Sequence, residues 1–446
     1  MTLSQSDRTR LDLAVKQDDS PYTTFVVSPW SKYIAWGAAR RAVTPNQVTA
    51  VSLVVALLAA GCFAAGSRPG YVVGAVVLQL SFGLDCADGQ LARLTGTNSR
   101  LGGWLDAMFD RLKEYAVYAG LAIGSARSGD DVWLLAVTAL VLQTVRHALD
   151  SSWSVTPAAV SALNEGVRRR AAGRRRRWHW SRKVAILPIG ERWLLISVLA
   201  AATRPWIVFA VLIGAGALAA AYMLAARVRR SVGPTDDALA PEAALRLDRM
   251  RDAGPVAALM ARAGSSRPAA SVALPLLGVV VLAAALVASI PTGSAVLLLT
   301  GALAFAVLAA VGGHRSPDPR WGWLVPPALR AAEFGTVAAA GWACGAGVGG
   351  VTYAYLLAVI WHHYDSVYRS RHRIAGAGLS VLAVFGGFEV RTVAVATLAA
   401  AGASAYTAGT AVMAGLLAVV AVARGRDLWQ RSEQADVRSA ERGWDG

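Results

Sequence analysis

The sequence predicts an all-α integral membrane protein of about twelve transmembrane helices, and three observations predict it. Hydrophobic residues make up 55% of the 446 positions against 16% charged. Mean hydropathy is positive, at +0.45. Apolar runs of roughly span length recur along the whole chain, with Arg- and Pro-bearing breaks between them. Together these exclude a soluble multidomain protein and a disordered chain. The formal net charge of +16 is carried mostly by arginines lying between apolar stretches. Such a distribution suits anionic lipid or phosphate better than a DNA groove, so no nucleic-acid partner is expected. The polar, charged start of the chain shows no cleavable signal peptide. Cys62, Cys86 and Cys344 are scattered through apolar segments without metal-ligand or disulfide spacing, and read as small packing residues.

Taken in order, residues 1–43 are expected to be a cytoplasmic N-terminus. Within it, Tyr22, Phe25, Val26, Trp30, Tyr33, Ile34 and Trp36 mix with Lys32, Arg40 and Arg41, the pattern of an interfacial amphipathic helix in the headgroup layer. Residues 44–231 form a six-helix membrane domain, with spans near 48–66, 70–92, 103–125, 131–149, 191–203 and 205–226. Residues 232–268, with Pro234, Pro241, Pro255 and Arg/Asp pairs, form a cytoplasmic linker. A second six-helix domain, 269–424, has spans near 270–290, 293–312, 322–342, 347–361, 386–401 and 404–423, and 425–446 is a cytoplasmic tail. Orientation follows from Arg168, Arg169, Arg170, Arg174, Arg175, Arg176, Arg177 and Arg182 in one loop, against only Arg68, Arg127 and Arg204 in the loops opposite. Both termini and segment 93–102 therefore fall on the cytoplasmic side. The run 168–177 is first an orientation signal; recruiting a phosphorylated acceptor or anionic headgroups is its alternative role.

The stretch richest in chemistry places Asp85 and Asp88 at i,i+3 near the end of one span, and Asp106 and Asp110 at i,i+4 near the start of the next. Each pair shares a helix face, and the short loop between the helices lets all four carboxylates point to one spot at the cytoplasmic boundary. Four unpaired negative charges there would be prohibitively unfavourable. Divalent cations remove the problem: hard oxygen ligands suit Mg²⁺ or Mn²⁺, and four bridging carboxylates can hold two ions for phosphoryl chemistry. Gly89 and Gly102 remove side chains where a ligand must approach, Ala92 keeps that face shallow, and Arg93 supplies a fixed cation. The alternative is a plain ion-pair network of these acids with Arg93, Arg100 and Arg111.

This pattern resembles the CDP-alcohol phosphotransferase (phosphatidyltransferase) family, whose signature is D-x-x-D-G-x-x-A-R-x8-G-x3-D-x3-D. Asp85, Asp88, Gly89, Ala92, Arg93, Gly102, Asp106 and Asp110 match it without gap or substitution, and Thr44, Pro45, Asn46 and Thr49 are similar to the family's entry to its first helix. The resemblance covers about residues 20–230. It implies a six-helix fold, two Mg²⁺ or Mn²⁺ ions held by Asp85, Asp88, Asp106 and Asp110, and Asp110 as general base beside Asp106. The implied reaction transfers a phosphatidyl or similar group from a CDP-alcohol, CDP-diacylglycerol foremost, to a hydroxyl acceptor. CMP is released, and the setting is phospholipid synthesis. Asn46 and Thr49 join Asp85, Gly89, Ala92, Arg93 and Gly102 as nucleotide or pyrophosphate contacts, unless the first two only mark a Thr-Pro helix start. Acceptor contacts are sought among Lys113, Glu114, Tyr115, Tyr118, Arg146, His147 and Asp150, polar groups along the third and fourth spans. His147 also fits a hydrogen-bonded packing role. No motif selects the alcohol, which leaves a small alcohol or a phosphorylated polyol, and a soluble CDP-alcohol donor is the alternative to a lipid one.

Residues 268–424 lack the signature yet echo the first half. Gly103, Trp104, Arg111, Glu114 and Tyr115 align with Gly322, Trp323, Arg330, Glu333 and Phe334, while Asp106 becomes Val325 and Asp110 becomes Leu329. His147 and Asp150 align with His362 and Asp365, and Gly190-to-Arg192 has a looser echo in Gly387-to-Arg391. This reads as a degenerate six-helix copy without metal ligands. The resemblance implies that such domains pair as homodimers, so the copy is expected to make the chain an internal pseudo-dimer, with further homodimerisation open. The cluster His362, His363, Tyr364, Asp365, Tyr368, Arg369 and Arg371 reads as a hydrogen-bonded interfacial belt rather than a metal site. A six-plus-six transporter is the competing class, but its site belongs at the bilayer midplane, whereas these acids are terminal to their spans.

Overall fold

The computed structural model describes residues 4–16, 19–171, 179–232, 238–261, 270–313, 317–372 and 386–442, and among them there is no strand. Side chains of the arginine run 168–177 lie outside the described residues. All twelve apolar segments are helical. α1 (Gln5–Ala14) and α2 (Ser28–Arg40) precede α3 (Pro45–Ala64), α4 (Arg68–Thr95), α5 (Arg100–Arg127), α6 (Trp133–Trp153), α7 (Pro157–Ala171), α8 (His179–Ala185), α9 (Ile189–Ala202) and α10 (Pro205–Ser231). The order then repeats in outline: α11 (Pro241–Arg251), α12 (Pro255–Ala261), α13 (Ala270–Thr292), α14 (Ala295–Gly313), α15 (Val325–Ala343), α16 (Gly350–Arg371), α17 (Phe388–Ala400) and α18 (Ala403–Arg442).

Six of the described helices, α3, α4, α10, α13, α14 and α18, are long and apolar enough to cross a membrane, which makes the chain a multi-pass membrane protein. The expected twelve spans reduce to these six by that measure, for two physical reasons. With 14 and 13 residues, α9 and α17 are roughly 20 Å long, short of the ~30 Å hydrocarbon core. In α5, α6, α15 and α16 ionisable residues such as Lys113, Arg146, Arg330 and Asp365 interrupt the apolar run.

Two compact units emerge, Met1–Leu140 with Arg169–Ala226, and Val141–Arg168 with Arg227–Gly446. In the first, α3 packs on both α4 and α5, while α2 and α9 pack on α4. Small residues allow the closest approach, as helix packing in lipid requires. A Cβ on Gly120 would stand 2.3 Å from the Ala60 carbonyl oxygen, and one on Gly124 would stand 2.1 Å from that of Phe63. Trp30 of α2 lies where a Cβ on Gly83 would be, 1.8 Å from its ring, fixing α4 just before Asp85. The outward face of α3 exposes Val51, Val54, Leu57 and Leu58, a surface suited to lipid.

In the second unit α13 packs on α14 and α15, while α12 and α17 pack on α14. These four pairings have the same order along the chain as the α3–α4, α3–α5, α2–α4 and α4–α9 pairings of the first unit. Its polar core is a closed ionic cluster. Arg391 donates to Glu333 Oε1 at 2.7 Å and to Asp252 Oδ2 at 2.5 Å, and Arg330 reaches Glu333 Oε2 at 2.8 Å. Asp252 takes a left-handed backbone (φ 54°) at the end of α11, and the following Gly254 N–H donates to Glu389 at 2.7 Å. Burial raises the Asp252 pKa, but Arg391, His362 and Arg330 outweigh it and hold the carboxyl well below the usual range.

Candidate active site

Local chain chemistry sets the frame. Thr44 caps α3 in a capping box: its side chain accepts from Gln47 N at 3.3 Å while Gln47 Oε1 accepts from Thr44 N at 3.0 Å, with Pro45 in the first turn. α4 ends at Gly96 in the left-handed region (φ 71°), and Ser99 caps α5 by accepting from Gly102 N at 2.9 Å. The resulting turn brings residues of the last turns of α4 and the first turns of α5 to one cavity. Ser31 of α2 donates to Gln90 of α4 at 3.0 Å, and Ser81 of α4 donates to the Ser52 carbonyl of α3 at 2.7 Å.

Asp85, Asp88, Asp106 and Asp110 all line one cavity of about 460 Å³. Asp85, Asp88 and Asp106 each offer an oxygen within 4.8 Å of the others, a spread that a hard divalent cation can bridge with small adjustments. Asp88 is buried, and Thr49 Oγ1 lies 2.5 Å from its Oδ2. Buried Asp110 Oδ1 accepts no hydrogen bond among the described residues, though Lys113 Nζ stands 3.6 Å away. Three converging carboxylates, with a fourth on the same cavity whose buried Oδ1 accepts no hydrogen bond among the described residues, are the chemistry of a cation site, so these residues fit the ions the signature implies.

Asn46, Thr49, Gly89, Ala92, Arg93 and Gly102 border the same cavity. Asn46 Oδ1 would be 3.1 Å from a Cβ on Gly102, so a side chain there would crowd the opening. Arg93 Nε donates to the Ala14 carbonyl at 2.6 Å, which joins the motif arginine to the end of α1. Thr49 Oγ1 donates to the Pro45 carbonyl within the first turns of α3 and to the motif carboxylate Asp88, a partner that neither sequence reading of Thr49 named.

The expected acceptor residues separate. Lys113 is fully buried and ion-paired with Asp85. Glu114 is buried and bound by Arg192 of α9 in a bidentate pair, Nε to Oε1 and Nη2 to Oε2, both at 2.7 Å; Tyr118 also donates to it at 2.7 Å. Arg146, His147 and Asp150 belong to the second compact unit. There Arg146 donates to Gln143 at 3.0 Å, His147 meets Tyr364 at 2.7 Å, and Asp150 pairs with Arg227. Asp365 likewise pairs with Arg369 at 2.6 Å and Arg424 at 3.2 Å, and His362 sits 3.4 Å from Asp252, a hydrogen-bonded arrangement of the kind read for that belt. Sequence reasoning missed the Lys113 pairing, although its i+3 spacing from Asp110 was a signal. It also missed the Arg192 partner, for which no local signal existed.

Residues 42–174 match the family model for CDP-alcohol phosphatidyltransferase, and residues 241–443 match that of a family of unknown function. Among curated relatives, the archaetidylinositol phosphate synthase of Pyrococcus horikoshii is 31% identical over 114 residues, 26% of this chain and 59% of that protein. The phosphatidylinositol phosphate synthase of Streptomyces avermitilis is 32% identical over 152 residues, 33% of this chain and 60% of that protein. The enzyme of that name from Mycolicibacterium smegmatis is 36% identical over 115 residues, 26% of this chain and 50% of that protein. The chain thus spans 50–60% of the length of these three relatives.

Proposed function

We propose, from a CDP-alcohol phosphatidyltransferase domain over residues 42–174, that this chain transfers a phosphatidyl-type group from a CDP-alcohol to a hydroxyl acceptor and releases CMP. The observation that carries the reading is the convergence of four carboxylates from α4 and α5 on one cavity bordered by Gly89 and Gly102. Asp85, Asp88, Asp106 and Asp110 would hold two Mg²⁺ or Mn²⁺ ions, which when bound neutralise the diphosphate and the departing CMP. The bare glycines admit the diphosphate, Asn46 and Thr49 border it, and Thr49 keeps Asp88 in place. Asp110 takes the acceptor's proton as its oxygen forms a bond to the β-phosphorus and the bond to CMP breaks.

The names of these relatives favour a CDP-diacylglycerol-like lipid donor and a phosphorylated polyol of the inositol phosphate type. A soluble CDP-alcohol donor is the second reading, favoured by relatives named as bifunctional IPC transferase and DIPP synthase. The second unit is a degenerate copy: its helix pairings repeat, and its Glu333–Arg391 pair stands where Glu114–Arg192 stands, without the metal carboxylates. The internal pseudo-dimer, any further homodimer, and the cytoplasmic placement of the termini and active centre complete the proposal on sequence grounds. Incubating the purified chain with CDP-diacylglycerol or a soluble CDP-alcohol, Mg²⁺ and a panel of acceptors, and following CMP release, tests it. Release only with inositol phosphate supports the first reading, and no release with any acceptor or donor removes the transferase assignment.

A further inference from the structure

We infer that Lys113 is a resident cation of the metal site, a positioning residue that holds Asp85 and Asp110 in place and sets the affinity for the divalent ions. The inference rests on the metal reading above. Its first support is geometric. The Lys113 side chain has 0% exposure, pairs directly with Asp85, and stands 3.6 Å from Asp110 Oδ1. Lys113 is one turn beyond Asp110 on α5, and Asp85 lies across on α4, so one ammonium ties the two helices at the base of the cavity. A buried lysine is costly unless paired. Here the partners are two members of the carboxylate set.

The second support is internal to the chain. Where the second unit echoes α5, Asp106 and Asp110 are replaced by Val325 and Leu329, and Lys113 by Ala332, while Arg111 and Glu114 persist as Arg330 and Glu333. The second unit keeps its helix packing and its Glu333–Arg391 pair without this lysine. Lys113 therefore departs with the metal carboxylates and not with the fold. Were it an architectural residue, it would be expected to persist beside Glu333.

Removing the ammonium deletes a like charge beside the divalent ions and frees two of their ligands. Affinity and geometry then move in opposite directions, which a merely structural residue would not produce. Mn²⁺ binding to the full chain in nanodiscs, followed by the electron-spin resonance of free Mn²⁺, is compared with turnover and KM for Lys113→Met. Expected are Mn²⁺ affinity tighter by roughly tenfold, turnover lower by at least tenfold, acceptor KM within twofold of the wild type, and partial recovery in Lys113→Arg. Unchanged Mn²⁺ affinity with a raised acceptor KM would make Lys113 an acceptor contact and overturn the inference. A wild-type chain that binds no Mn²⁺ removes the metal reading itself, whereas equal binding by wild type and variant removes only the role of Lys113. Should Lys113→Met fail to fold, the charge-balanced pair Asp85→Asn/Lys113→Met is expected to restore the folded protein, and a pair as unstable as the single variant refutes the charge argument.

Discussion

Replacing Arg192 by Met leaves the Glu114 carboxylate in the packed interior of the first unit without its cation. The two side chains form parallel 2.7 Å hydrogen bonds with 4% and 1% residue exposure, and Arg192 Nη1 also donates to the Leu187 carbonyl at 3.0 Å. Little water is available to take over. Breaking such a pair from one side costs about 3–5 kcal/mol, most of it the stranded charge. At roughly 2–4 °C per kcal/mol for a unit of this size, the unfolding midpoint should fall by about 6–20 °C. The Tyr118 hydroxyl keeps one hydrogen bond to Glu114, which favours the lower half of that range. Thermal unfolding in mild detergent, read by tryptophan fluorescence, measures it. The double variant Glu114→Leu/Arg192→Met removes both charges and should regain much of the loss, because replacing a whole buried pair with apolar groups is often close to neutral. An Arg192→Met midpoint within 2 °C of wild type would refute the claim that this pair holds α5 to α9.

Asp110→Asn should lose transfer far more than donor affinity, since a base acts only as the bond forms; calorimetry of CDP-alcohol binding with metal present, set beside turnover, checks it. Gly120→Leu should force α3 from α5 at the 2.3 Å approach to Ala60, costing about 1–3 kcal/mol by overpacking, visible as a lower unfolding midpoint. Asp252→Asn should destabilise the second unit in a pH-dependent way. The folded pKa of Asp252 lies well below its unfolded value, so its contribution is present above the unfolded pKa near 4 and disappears as pH falls through the folded one. The gap between wild type and Asp252→Asn, measured by denaturation from pH 7 downward, should be full at pH 6 and narrow below about pH 4.

Much of this was legible because its causes are local. Apolar runs mark the helices, Thr44 and Pro45 mark the start of α3, and i,i+3 and i,i+4 spacing puts Asp85 with Asp88 and Asp106 with Asp110 on shared helix faces. What escaped was long-range or a matter of closeness. Glu114 and Arg192 are 78 residues apart and Glu333 and Arg391 are 58 apart. The sequence comparison picked out all four as echoes, and only the fold reveals that they are partners. Thr49 meets Asp88 across 39 residues, and nothing in the composition of α5 says that Gly120 and Gly124 face backbone carbonyls. Buried ion pairs such as Glu114–Arg192 and Glu333–Arg391 place polar residues inside helices, so length and apolarity single out six crossing helices where the apolar runs suggest twelve.

The most direct test of the central claim is CMP release from CDP-diacylglycerol and inositol phosphate, measured with Mg²⁺ or Mn²⁺ and with EDTA, for the wild-type chain and Asp106→Asn. The account predicts release by the wild type that stops in EDTA and returns on adding either ion, and collapse in a folded Asp106→Asn protein at saturating metal. Release that persists in EDTA, or half-normal turnover in Asp106→Asn, would contradict it.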